Sequence, residues 1–158
     1  MLRSIPSLTF GAPRRALLLA TLAVLALPAV ARAQGVTVRE AWVREAAAGR
    51  AVTAAFLTLA NAGDKPVALV RGTASVGDTL ELHEMKRDGA MMRMSPVQRI
   101  EVPAKGETAL RPGGLHLMIF GLKAPLAPSD TVRLTLTFDD GSTVKVAAPV
   151  RAMQRMMP

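Results

Sequence analysis

Cysteine and tyrosine are absent from this 158-residue chain, and its aromatic side chains amount to one tryptophan and four phenylalanines. Without thiols an oxidising compartment can give it no disulfide, and no thiolate nucleophile, iron–sulfur cluster or cysteine-based zinc site can be built. A blue-copper electron-transfer centre, which needs a cysteine ligand, is excluded for the same reason. Histidine is nearly as scarce, at two residues. No second histidine cluster exists to make an oxygen-reactive copper centre, and no Ser/His/Asp arrangement stands out, so an enzyme is not expected. The formal net charge of +8 is spread singly rather than in blocks. With so few rings to stack on bases, nucleic acid is not an expected partner.

One apolar run is long, and it lies at the N-terminus. Arg14-Arg15 precede the apolar stretch Ala16 to Leu27, and Ala31-Arg32-Ala33 forms a small-x-small site ahead of Gln34. That order is a secretory signal peptide over residues 1–33, cleaved near Ala33, and the run falls short of the ~20 residues a spanning helix needs. Export to the periplasm is expected, by the general or the twin-arginine route, with no membrane attachment after cleavage. Cleavage removes Arg3, Arg14, Arg15 and Arg32 and no acidic residue, lowering the net charge from +8 to +4. Residues 34–150 are sized for one domain, and 151–158 are expected to form a flexible, methionine-containing tail.

Beyond the signal peptide the chain reads as short strands punctuated by turns. Ala54 to Leu59 ends at Asn61-Ala62-Gly63-Asp64, and Val67 to Val70 ends at Arg71-Gly72. Leu80 to Met85 alternates into Asp88-Gly89, followed by Ala90 to Ile100 and Thr108 to Leu110. Leu115 to Phe120, Val132 to Phe138 and Ser142 to Val150 complete the series. Period-two patterning with Gly, Pro and Asp-Gly breaks predicts an all-β sandwich or barrel. Trp42 is assigned to the core.

Methionine is what the chain has in excess. Of its nine methionines, eight follow Gln34: Met85, Met91, Met92, Met94, Met118, Met153, Met156 and Met157. Each histidine is followed two positions later by one of them, as His83-Glu84-Met85 and His116-Leu117-Met118. Residues i and i+2 of a strand share a face, so each pair offers imidazole and thioether to one side. A two-residue loop at Asp88-Gly89 would pair Met85 with Met92, Glu84 with Arg93 and His83 with Met94. On the next strand His116, Met118 and Phe120 share a face opposite Leu115, Leu117 and Ile119, the better core set. Two imidazoles and two thioethers make a soft, uncharged donor set that selects Cu(I). Met85, Met91 and Met92 read as packing, since methionine commonly fills gaps in cores.

The spacing from His83 through Met94 and His116 to Met118 resembles the metal motif of the periplasmic copper chaperones called PCuAC. Phe56 to Asp64, Glu81 to Met85, Pro112 to Met118 and Leu134 to Gly141 are similar to family segments, so the resemblance spans about Ala41 to Val150. It implies a cupredoxin-like Greek-key β-sandwich that binds one Cu(I) through His83, Met94, His116 and Met118. It further implies delivery of copper to the dinuclear copper centre of cytochrome c oxidase, to an oxidase subunit directly or alongside a Sco-type protein, and the chain is expected to act as a monomer. Some relatives carry a tail rich in histidine and methionine that handles Cu(II). This tail has no histidine, which argues against a strong Cu(II) site. Copper storage or resistance, and a metal-independent assembly module, are the alternative readings.

Overall fold

A computed structural model describes residues 35–152. The expected signal peptide with its cleavage site, and the methionines at 153, 156 and 157, lie outside the described residues. Ten strands follow in chain order: β1 (Val36–Arg44), β2 (Val52–Asn61), β3 (Val67–Ala74), β4 (Thr79–Asp88), β5 (Met91–Pro96), β6 (Ile100–Val102), β7 (Gly106–Leu110), β8 (Leu115–Phe120), β9 (Thr131–Phe138) and β10 (Thr143–Arg151). Among the described residues there is no helix.

The strands pair in the order β5-β4-β8-β2-β1-β10-β9-β3-β6, with β7 continuing beside β2 where β8 stops. The run folds into two layers. One is β5-β4-β8-β2-β1 with β7; the other is β10-β9-β3-β6. They are joined where β1 and β10 meet in parallel at Val43–Val150 and Arg44–Arg151. The non-sequential neighbours are the long crossovers of a Greek key, and the architecture is the expected cupredoxin-like all-β sandwich.

Alternation decides which side of each strand faces the other layer. In β9, Val132, Leu134, Leu136 and Phe138 are sealed inside while the threonines and Arg133 between them look out. From the first layer Ala55, Leu57 and Leu59 of β2, Leu82 of β4, and Leu117 and Ile119 of β8 supply the facing half of the core. Each fully buried aliphatic side chain contributes about 1.5–3 kcal/mol of transfer free energy, so this face fixes the register of every strand that carries it.

Three elements depart from the sequence expectation, each for a local reason. β1 is a strand that strict alternation hides. Val36 and Val38 face inward, but an extra residue between Arg39 and Trp42, with Glu40 at φ +53°, shifts the phase so that Ala41 and Val43 point inward instead. Such a bulge re-aims the side chains that follow it. Trp42 therefore lies half-buried on the outer face of its sheet, not in the inter-sheet core. β3 does not end at Arg71-Gly72 but runs to Ala74. Gly72 is there for closeness: a Cβ would stand 2.8 Å from Leu80 and 3.4 Å from Leu136. The stretch Ala90 to Ile100 divides into β5 and β6, which belong to different layers. Pro96, lacking an N–H, closes β5.

Candidate metal centre

The two histidines stand side by side. His83 of β4 and His116 of β8 are direct cross-strand partners, their ring centroids 5.9 Å apart. Leu82 and Leu117, one position before the first and one after the second, anchor in the core, which forces both imidazoles to the outer face of the sheet. That face is not solvent-washed at this point, for His83 is 7% and His116 5% exposed. The cover is aromatic. Phe56 lies 6.3 Å from His116 and stacks on Trp42 at 4.6 Å, while Phe120 lies 6.1 Å from His83.

Hydrogen bonding ties one nitrogen of each ring and leaves the other without an oxygen partner. His116 Nδ1 lies 2.9 Å from the Gly114 carbonyl, which can only accept, so Nδ1 carries the proton. Nε2 is then a bare donor atom, and it faces Met94 Sδ at 3.3 Å. In the neutral ring, two Lewis bases are thus turned towards one another. His83 Nε2 lies 2.9 Å from the Glu81 carboxylate, so that nitrogen donates. His83 Nδ1 is buried and has no partner. An orphaned buried acceptor costs about 1–3 kcal/mol, a penalty that a ligated cation would remove. A ring whose second nitrogen is tied to a carbonyl or carboxylate is the usual state of a metal-binding histidine.

The β4–β5 hairpin brings the sulfur in by a register other than the expected one. The loop is Gly89-Ala90, with Asp88 opposite Met91, so Met85 pairs with Met94 and His83 with Pro96. Gly89 takes φ +63° as the first loop residue, and neither Asp88 nor Ala90 has positive φ. This is the pattern of a type II′ turn, which spares Asp88 the left-handed conformation that an Asp-Gly type I′ loop would impose. The offset from expectation is two residues, so no side chain changes face, and Met94 stays on the side of His83. The expected Glu84–Arg93 pair does not form: Glu84 binds Lys86 at 2.8 Å and Arg93 binds Asp88 at 3.2 Å.

Of the four expected site residues, His83, His116 and Met94 are brought together by these contacts. Met118 lies two positions from His116 on the same face, opposite Glu81 and diagonal to His83, and is half-buried. Sequence reasoning missed Glu81 and Gly114, which hold the two rings. The signal for Glu81 was present in its i−2 spacing from His83. That for Gly114 was not, because it acts through its backbone. Met85 and Met92 share the outer face with Met94, while Met91 points to the other face. Among the described residues no group of three or more His, Cys, Asp or Glu is placed to hold a metal ion.

Fold and face together define a cupredoxin-like β-sandwich with an imidazole–thioether cluster on the outer side of one sheet. Residues 36–150 match the sequence model of the LpqE-like family, described as "Putative lipoprotein LpqE-like". The chain belongs to this PCuAC-type family. It is 41% identical over 121 residues, 76% of this chain and 72% of the relative, to "Putative lipoprotein Lxx21020" of Leifsonia xyli subsp. xyli (strain CTCB07). The solution structure of Cu(I)-bound DR1885 from Deinococcus radiodurans is similar at 36% identity and TM-score 0.58, over 75% of this chain and 81% of that one. The copper-bound PCuAC domain of PmoF2 shares the fold at TM-score 0.64 and 18% identity, over 75% of this chain and 94% of that one.

Proposed function

We propose that this protein is an exported copper chaperone that carries one Cu(I) ion between His83, Met94, His116 and Met118. The observation that carries the reading is Nε2 of His116 facing Met94 Sδ at 3.3 Å, its other nitrogen bonded to the Gly114 carbonyl. The orphaned Nδ1 of buried His83 supplies a second donor of the same kind. Thioether is a soft donor that selects Cu(I) over zinc or harder ions and needs no deprotonation, so it binds also in an acidic compartment, whereas the imidazoles bind in their unprotonated form. The donor set brings no charge of its own, which favours a monovalent ion that is later released. Support from relatives comes from the Cu(I)-bound Deinococcus protein and the copper-bound PmoF2 domain.

The work of such a protein is capture and handover, with no bond-making step beyond ligand exchange. The recipient in this proposal is the copper centre of a respiratory oxidase under assembly, reached directly or through a Sco-type protein, and the setting is the periplasm. The deciding experiment is a Cu(I) titration against a competing chelator, run beside His83→Ala and His116→Ala. One tight equivalent, lost in both variants, is the expected result. Affinity indifferent to both histidines would mean that the imidazoles only pack.

A further inference from the structure

The face that carries the candidate centre continues beyond it along the hairpin, and its next side chains are again thioethers. Met85 and Met94 are direct cross-strand partners, and Met92 lies one pair further towards the turn on the same face, opposite Arg87. Directly opposed residues have β-carbons about 4.5–5.5 Å apart and diagonal ones about 7–8 Å, within reach of a side chain with three rotatable bonds. Packing does not account for two of these residues, Met92 at 49% and Met94 at 48% exposed, while Met85 is half-buried beside them. On its β8 side Met85 faces Gly114, whose carbonyl accepts the Met85 N–H at 3.1 Å and which offers no side chain to crowd the sulfur.

We infer that Met85, Met92 and Met94 form an outer, all-thioether position for Cu(I), an entry station that shares Met94 with the inner set. The inference rests on the copper reading above. Three neutral sulfurs complete a trigonal, soft coordination shell, and by strand parity Glu81 is the carboxylate that β4 places on this face. Arg87 beside Met92 adds a positive charge. The outer position is therefore weaker than the inner one and holds its ion in passing. Transfer inward is ligand exchange without change of oxidation state. The Cu–S bonds to Met92 and Met85 break as Cu–N bonds to His116 and His83 and a Cu–S bond to Met118 form, while the bond to Met94 persists. Because Met94 is common to both, the two positions are filled in turn, and the stoichiometry stays at one.

The test uses the mature protein labelled with 13C at the methionine methyl groups and Ag(I) as a redox-inert surrogate. With the inner set disabled by His83→Ala and His116→Ala together, Ag(I) should still bind weakly, shifting the methyls of Met85, Met92 and Met94 and sparing Met118. Adding Met85→Leu and Met92→Leu to that variant should abolish the shifts. Methyls of Met85 and Met92 that stay unmoved, or a response at Met118 in their place, overturn the outer position. Should the histidine variant fail to fold, the wild-type background decides. There Met85→Leu with Met92→Leu should slow Cu(I) capture from a chelator about tenfold, the scale on which supporting groups act at metal sites, and an unchanged rate overturns the inference. An imidazole 15N spectrum of the wild type that ignores Ag(I) would sink the inner-site reading instead, and the two failures are thereby told apart.

Discussion

Met94 Sδ meets His116 Nε2 at 3.3 Å although the whole of β4 lies between their strands. Neighbouring strands are ~4.8 Å apart, so β5 and β8 are separated by about 10 Å, and only a long, unbranched side chain can lie across the gap. Met94→Leu removes both the reach and the sulfur. Because Met94 is largely exposed, stability should change by less than about 0.5 kcal/mol. Cu(I) affinity should fall about tenfold or more, the least expected when even a supporting group at a metal site is lost. Chemical denaturation and chelator competition on the same preparation separate the two effects, and unaltered affinity would remove Met94 from the site.

Glu81 accepts the Nε2–H of His83, leaving Nδ1 as the free donor. Glu81→Gln keeps an acceptor at this place, whereas Glu81→Leu has none and lets the ring proton move to Nδ1. Imidazole 15N shifts of the metal-free protein should show the tautomer change in the leucine variant alone. Cu(I) affinity should fall about 10–100-fold in that variant and less in the glutamine one. If the leucine variant retains both the tautomer and the affinity, Glu81 is only a surface neighbour.

Leu117 supports the centre from behind. It is fully buried between the layers, opposite Leu82 and Ala55, and the two flanking positions carry His116 and Met118 on the other side of the strand. Leu117→Ala should cost about 2–5 kcal/mol, read from the urea midpoint at constant slope. A loss under 1 kcal/mol would contradict the packing described for β8.

Asp139 titrates with folding. The backbone N–H of Ala68 at 2.9 Å, aided by Arg99 at 3.0 Å, holds its carboxyl below the ordinary aspartate range. A carboxyl so depressed contributes stability that is present above its unfolded value, about 4, and is lost as the pH falls through the folded value. Since Arg99 is exposed, the contribution is about 1 kcal/mol or less. Asp139→Asn should therefore lower stability slightly at neutral pH and by less at pH 2, and urea denaturation at both pH values checks it. An equal loss at both would assign the effect to packing.

Much of this arrangement was legible because it depends on parity alone. A residue's face in a strand follows from counting by two, so Leu117 and Ile119 inward, and His116 and Met118 outward, could be read without knowing any partner strand. Parity also made the hairpin error harmless to the face of Met94 while changing its neighbour from His83 to Met85. What could not be read were events that add or spend a single residue: the bulge at Glu40 that conceals β1, the glycine inside β3 that imitates a turn, and the choice between Asp88-Gly89 and Gly89-Ala90. Each is decided by backbone torsion or by a side chain from another strand. The ring-holding carbonyl of Gly114 belongs with them, for it carries no side-chain identity at all.

The strand that presents the sulfurs is also the outermost of its sheet, six residues long and exposed along its whole length. An apolar border of that kind is a seam along which copies of a chain can zip together into fibrils. Here the seam is short, Arg93 puts a charge in its middle, and Pro96 interrupts the row of N–H groups at its end. These are the devices by which sheet proteins stay apart in solution, and they allow a polarizable, oxidisable surface to remain open to the solvent without becoming sticky.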